Sequence, residues 1–156
     1  MSYIKTDIVT ILHHLDQLTA ESKPLWGTMT AQEMVEHLTD SIKMSYGLLT
    51  FPLDIPEDKI EKMQAFLMSD KPFPREFKAS FVPEKPELRH EEIELAIDEF
   101  TLEWIEYEDF YAANPDATNL HPYYGNLNYD MWERIHAKHI THHLTQFGIV
   151  IVELED

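Results

Sequence analysis

The sequence predicts an all-α protein: a four-helix bundle with one long crossover and one short extra helix. Three observations lead there. Four long segments place apolar residues three or four apart, the spacing of one helical face. No segment alternates apolar and polar residues convincingly enough to compete as a strand. A proline-rich interval, with Pro72, Pro74, Pro83 and Pro86 inside residues 70–87, separates the second long helix from the third and reads as a crossover rather than a domain linker.

The first stripe runs over residues 4 to about 20 through Ile4, Ile8, Ile11, Leu12, Leu15 and Leu18, and Pro24 and Gly27 then mark a turn. Thr30-Ala-Gln-Glu33 is a capping-box pattern announcing a second helix with Met34, Leu38, Ile42 and Ser45 on one face, ending near Gly47. Pro56 opens the short extra helix through Ile60, Met63, Phe66 and Leu67. A third long helix starts near His90, carries Ile93, Ile97, Phe100, Trp104 and Tyr111, and stops at Asn114-Pro115. Residues 114–127 read as a loop. The last helix is expected from Asn128 to Val152, with Trp132, Ile135, Phe147, Val150 and Ile151 inward. Val150-Ile151-Val152 also suits a short strand, but it continues the helical segment and is read with it.

Length and composition restrict the function. The 156 residues suit one domain, 1–156, and 44% hydrophobic residues suffice for a core. A net charge of −17 disfavours nucleic acid and anionic membrane as partners, since both are polyanionic. With no cysteine, disulfides, thiolate metal sites and a cysteine nucleophile are excluded. No signal segment or run of ~18 apolar residues is present, which predicts a soluble cytoplasmic protein.

Histidine is the exception to an ordinary composition. It occurs nine times, and His136, His139, His142 and His143 fall within eight residues. Four-residue spacing stacks His139 and His143 on one helical face, the inner face that Trp132 and Ile135 define. Two imidazoles on consecutive turns can share a divalent ion. A third ligand should come from another helix. His37, flanked by Met34, Leu38 and Ser41, is best placed; His13 and His14 lie near the inner face of the first helix, His90 opens the third helix, and His121 lies in a loop. The competing structural explanation is a histidine cluster satisfied by Gln146, Thr141 and water, which leaves several desolvated imidazoles together with nothing to organise them. A zincin-type peptidase is excluded because Ile140, not glutamate, follows His139.

Met34-Val-Glu-His37-Leu and His139-Ile-Thr-His-His143-Leu-Thr-Gln146 resemble the DinB/YfiT-like superfamily of bundle-type metalloenzymes. Trp26-Gly-Thr-Met29 and the loop His121-Pro-Tyr-Tyr-Gly125 are similar to a little-characterised branch of it. The resemblance implies a four-helix bundle, often dimeric, with a metal site of His37, His139 and His143 that takes nickel, zinc or iron. It further implies hydrolase chemistry, or thiol-dependent transfer, on a small-molecule substrate.

Three neutral imidazoles leave a divalent ion at least one open position, the catalytic rather than the structural pattern. Around it, His121, His136 and His142 are the acid–base or supporting candidates. Glu33 and Asp40 can orient His37, and Tyr123, Tyr124 and Trp132 can line the mouth. The alternative function is a non-catalytic metal-binding or dimerising bundle, and a plain helical interaction domain follows if no metal binds.

Overall fold

A computed structural model describes residues 2–75 and 77–154. Five α-helices carry the fold: α1 (Ile8–Leu15), α2 (Ala31–Ser45), α3 (Ile60–Met68), α4 (Ile93–Ala113) and α5 (Tyr129–Gln146). A 3-10 turn, Glu57–Lys59, precedes α3, and a two-stranded sheet, β1 (Asn119–His121) with β2 (Gly125–Leu127), precedes α5. The all-α bundle expected from the sequence is therefore present. Helix α2 packs on α4 and α5, α1 on α4, and α3 on α5.

Local chemistry starts these helices, for α2 and α5 where the sequence indicates. Asp7 caps α1, its Oδ1 accepting from Thr10 N at 2.8 Å. Thr30 and Glu33 complete the capping box of α2 reciprocally, with Glu33 N donating to Thr30 Oγ1 at 3.1 Å and Thr30 N to Glu33 Oε1 at 2.8 Å. Asn128 Oδ1 accepts from Met131 N at 3.0 Å to open α5.

Helix α4 shows that packing, not propensity, decides. Its 21 residues include seven acidic side chains and no Lys or Arg. Like charges one turn apart each cost roughly 0.2–0.5 kcal/mol. Against that, Ile93, Ala96, Ile97, Phe100, Trp104, Tyr107 and Tyr111 are buried, and large apolar side chains contribute roughly 1.5–3 kcal/mol each when fully buried. Burial wins, and Lys43 and Arg89 relieve part of the repulsion by pairing with Glu99 at 3.1 and 2.8 Å.

Three boundaries differ from the sequence expectation. Helix α1 is only 8 residues long. Ile4 and Leu18 are buried as the stripe requires, but from non-helical backbone; Ile4 N donates to Thr141 Oγ1 of α5 at 2.9 Å. Helix α5 ends at Gln146, not Val152, because Gly148 takes φ +73, a left-handed stop. Gly148 N and Ile149 N close the end by donating to Thr145 O and Leu144 O at 3.0 and 2.9 Å. Val150 is accordingly 75% exposed, and Val152 N donates to His14 Nε2 at 3.0 Å. Helix α4 starts at Ile93, so His90 lies before it.

The hairpin is the fourth difference. Asn119 pairs with Leu127 and His121 with Gly125, strands too short to print a two-residue period on the sequence. Gly125 has φ +78, and a Cβ there would stand 3.0 Å from Ile60 Cγ2. The hairpin thus closes directly against α3.

Candidate metal centre

Helices α2 and α5 meet along the face that carries the histidines. His37 follows Met34 by one turn on α2, and His139 and His143 occupy consecutive turns of α5. The three rings form a triangle, with centroids 4.7 Å (His37–His139), 4.8 Å (His139–His143) and 5.0 Å (His37–His143) apart. The Nε2 atom of His139 lies 2.9 Å from that of His37 and 3.1 Å from that of His143. Two nitrogens bound to one zinc at about 2.0–2.1 Å can stand up to roughly 4 Å apart, so both spacings are within range. These three side chains are the group among the described residues whose ligand atoms converge, within 4.8 Å of one another.

The hydrogen-bond pattern around them identifies which nitrogens carry lone pairs. Gln146 Nε2 donates to Trp26 O at 3.1 Å, which turns its Oε1 toward His143 Nδ1 at 2.7 Å. A carboxamide oxygen only accepts, so His143 Nδ1 holds the proton and Nε2 is bare. His139 Nε2 then has two nitrogen neighbours and at most one proton to give. If it donates to one, the other contact has no properly directed proton; if His37 donates to it, two lone pairs face each other across 3.1 Å. A cation at the centre satisfies all three at once. This is the donor chemistry of a metal site, and the residues present fit a divalent ion.

Electrostatics agree with the geometry. Burial pushes His37 down to about 4, and the neighbouring His142 lowers it further. Burial and the other imidazoles hold His139 and His143 well below the usual histidine value. All three are neutral at pH 7, so protons do not compete for the site there. His37 and His139 are half-buried and His143 is buried.

Beside the triad stand His142 of α5 and residues from two loops. His142 is half-buried, its ring 4.9 Å from that of His143 and 5.7 Å from that of Trp26. Phe73 of the crossover approaches His139 and His142, at 6.3 and 6.5 Å between ring centres. Arg75 Cζ lies 4.4 Å from the centre of the Trp26 ring. Trp26 Nε1 is buried without a hydrogen-bond partner among the described residues. Phe73 and Arg75 went unnoticed in the sequence because the proline-rich crossover has no periodicity to aim its side chains. Trp26 was visible only as part of a motif.

The remaining sequence candidates are distributed elsewhere. His136 is 1% exposed among Trp104, Tyr107 and Trp132, with Nε2 unpartnered among the described residues. His121 is also buried, its Nδ1 accepting from Tyr123 N at 3.0 Å and its ring 5.6 Å from Trp132. His14 accepts from Val152 N and contacts Thr10 O at 2.7 Å, so it ties the C-terminal segment to α1. His90 pairs with Glu99 at 3.1 Å.

Neither acid proposed as an orienter of His37 does that work. Glu33 is engaged in the capping box and Asp40 with Arg89 Nη1 at 3.0 Å. The aromatics proposed for the mouth are also placed differently. Trp132 is fully buried, Tyr124 is buried, and Tyr123 accepts from Ser80 N at 2.7 Å. The aromatics that stand beside His139 and His142 are Trp26 and Phe73 instead.

Residues 3–148 match the model of a family described as "Protein of unknown function (DUF1569)". The chain belongs to the DUF1569 family. No curated protein and no solved structure matches it. The DUF1569 match spans all nine histidines and reaches Gly148, the stop of α5.

Two predictions follow from this geometry. Gln146→Leu removes the acceptor that fixes the His143 tautomer. Divalent-metal affinity measured by calorimetry should fall roughly 10–100-fold while the far-UV helix signal is kept. Unchanged affinity would mean that Gln146 does not orient the ligand.

The second concerns pH. Burial pushes His121 and His136 from 6.5 down to about 3. Between those values the unfolded chain binds protons that the folded chain refuses, so stability present above pH 6.5 is lost as the pH falls through that window. His136→Phe removes one such group. Its melting temperature, relative to metal-free wild type, should rise progressively from pH 7 to pH 5, and a constant difference would contradict burial of the neutral imidazole.

Proposed function

We propose that the protein is a metal-dependent enzyme of hydrolase or thiol-transferase type, acting on a small molecule, within a DinB/YfiT-like bundle. His37, His139 and His143 would hold the ion, with nickel, zinc and iron all compatible with an all-nitrogen set. The observation that carries this reading is the convergence of three Nε2 atoms that no arrangement of their own protons satisfies.

Held by His37, His139 and His143, a divalent ion would keep its charge and would supply Lewis acidity, enough to favour ionisation of water or a thiol near neutral pH. The chain's own residues supply the rest. His142 stands beside His143, and burial together with Arg75 lowers its pKa, so it is neutral at pH 7 and free to accept a proton from the nucleophile. Trp26 and Phe73 restrict water at the mouth. His136 and His121 lie in an aromatic shell whose burial keeps them neutral, and would serve as supporting groups rather than as ligands.

A second reading, a non-catalytic metal-holding or dimerising bundle, is favoured by one observation. Phe73 lies over His139 and His142, on the side a substrate would have to reach.

Elemental analysis of untagged protein tests the first step. Wild type should carry about one first-row divalent ion per chain. His37→Ala and His139→Ala should lose it with the helix signal intact. Helical wild type that takes up neither nickel nor zinc would contradict the proposal, and metal uptake without turnover of thiol-transfer or hydrolysis substrates would select the second reading.

A further inference from the structure

The border of the metal centre carries a positive charge and an unused hydrogen-bond donor, and together they select a ligand. Arg75 is one of only 12 Lys and Arg residues in a chain of net charge −17. Its guanidinium lies 4.4 Å from the Trp26 ring centre, and that ring is 5.7 Å from His142, the immediate neighbour of His143. The backbone at Trp26 is fixed, because its carbonyl O accepts from the same Gln146 that orients His143. The indole Nε1 is nevertheless buried with no acceptor among the described residues. An N–H left in that state is unfavourable, and an acceptor brought by a ligand removes the penalty.

We propose that Arg75 and Trp26 bind the carboxylate of the substrate, so that the molecule presented to the metal centre is a small organic anion. The guanidinium offers a planar fork of donors that matches a carboxylate, and the indole N–H adds a further donor from a rigid ring. Arg75 is exposed, so an incoming anion can reach its guanidinium. The rest of the surface repels anions, so a preference for one at this site has to come from local groups.

The proposal rests on the metal reading above, and one experiment separates the two. Cobalt(II) is added to the protein and its uptake is measured first. The loaded protein is then titrated with 3-mercaptopropionate and with 3-mercapto-1-propanol, two thiols of equal chain length that differ in the carboxylate. The thiolate-to-cobalt absorption band reports binding.

Wild type should prefer the carboxylate thiol by about tenfold or more, near 1.4 kcal/mol. Arg75→Gln should abolish the preference and Arg75→Lys retain part of it. Trp26→Phe, which keeps a ring but removes the N–H, should reduce it. All three variants should keep the cobalt. Equal binding of the two thiols by wild type, or an unchanged preference in Arg75→Gln, would overturn the carboxylate site while leaving the metal centre standing. Failure of wild type to take up cobalt would overturn both.

Discussion

The centre depends on one carboxamide. Gln146 accepts from the Nδ1 proton of His143 on one side and donates to the Trp26 carbonyl on the other. The first contact settles the tautomer of a metal-ligand candidate. The second fastens the loop before α2 to the last turn of α5, reinforced by Leu25 N donating to Gln146 O at 2.7 Å. The loop passes close to this side chain: Gly27 has φ +74, and a Cβ there would stand 3.1 Å from Gln146 Nε2. Orientation of the imidazole and closure of the bundle are thus one constraint, which is why the Trp-Gly turn and the histidine helix belong together.

The fold serves this constraint by fixing two helices. Helix α2 is held by its capping box at one end and by the buried ridge Met34, Val35, Leu38 and Ile42 along its length. Helix α5 is held by Trp132, Ile135 and Leu144, all buried, and by Lys138, whose Nζ donates to Phe66 O and Lys71 O at 3.1 and 2.8 Å. That last contact brings the start of the crossover against α5, close to where Phe73 reaches His139. Rigid helices therefore carry the ligands, and loops carry the groups that meet what arrives.

Much of the bundle was legible because apolar spacing reports burial directly. Ile11, Leu15, Met34, Leu38, Phe100, Trp104 and Trp132 are core residues, as their stripes required. The His37, His139 and His143 grouping was legible for a related reason, since four-residue spacing fixes a helical face and His37 was the histidine on the apolar face of a second helix. Boundaries were less legible. Ile4 and Leu18 satisfy the stripe without being helical, and Gly148 ends α5 through a positive φ that periodicity alone did not weigh. The hairpin was hidden by its brevity. Phe73 and Arg75 were hidden because their positions follow from tertiary packing of an irregular segment, and the roles first assigned to Glu33 and Asp40 failed because nearer partners claim both carboxylates.

The central claim is that three Nε2 lone pairs converge with the tautomer of His143 set in advance. A long-range proton–nitrogen correlation spectrum of the histidine rings, recorded on metal-free protein and again after one equivalent of zinc, reads this directly. The account predicts His143 protonated at Nδ1 and bare at Nε2 before metal is added. It predicts that zinc then shifts the Nε2 resonances of His37, His139 and His143 together, leaving His14 and His90 in place. A His143 ring protonated at Nε2 at neutral pH, or a zinc-induced shift that omits His37, would contradict it.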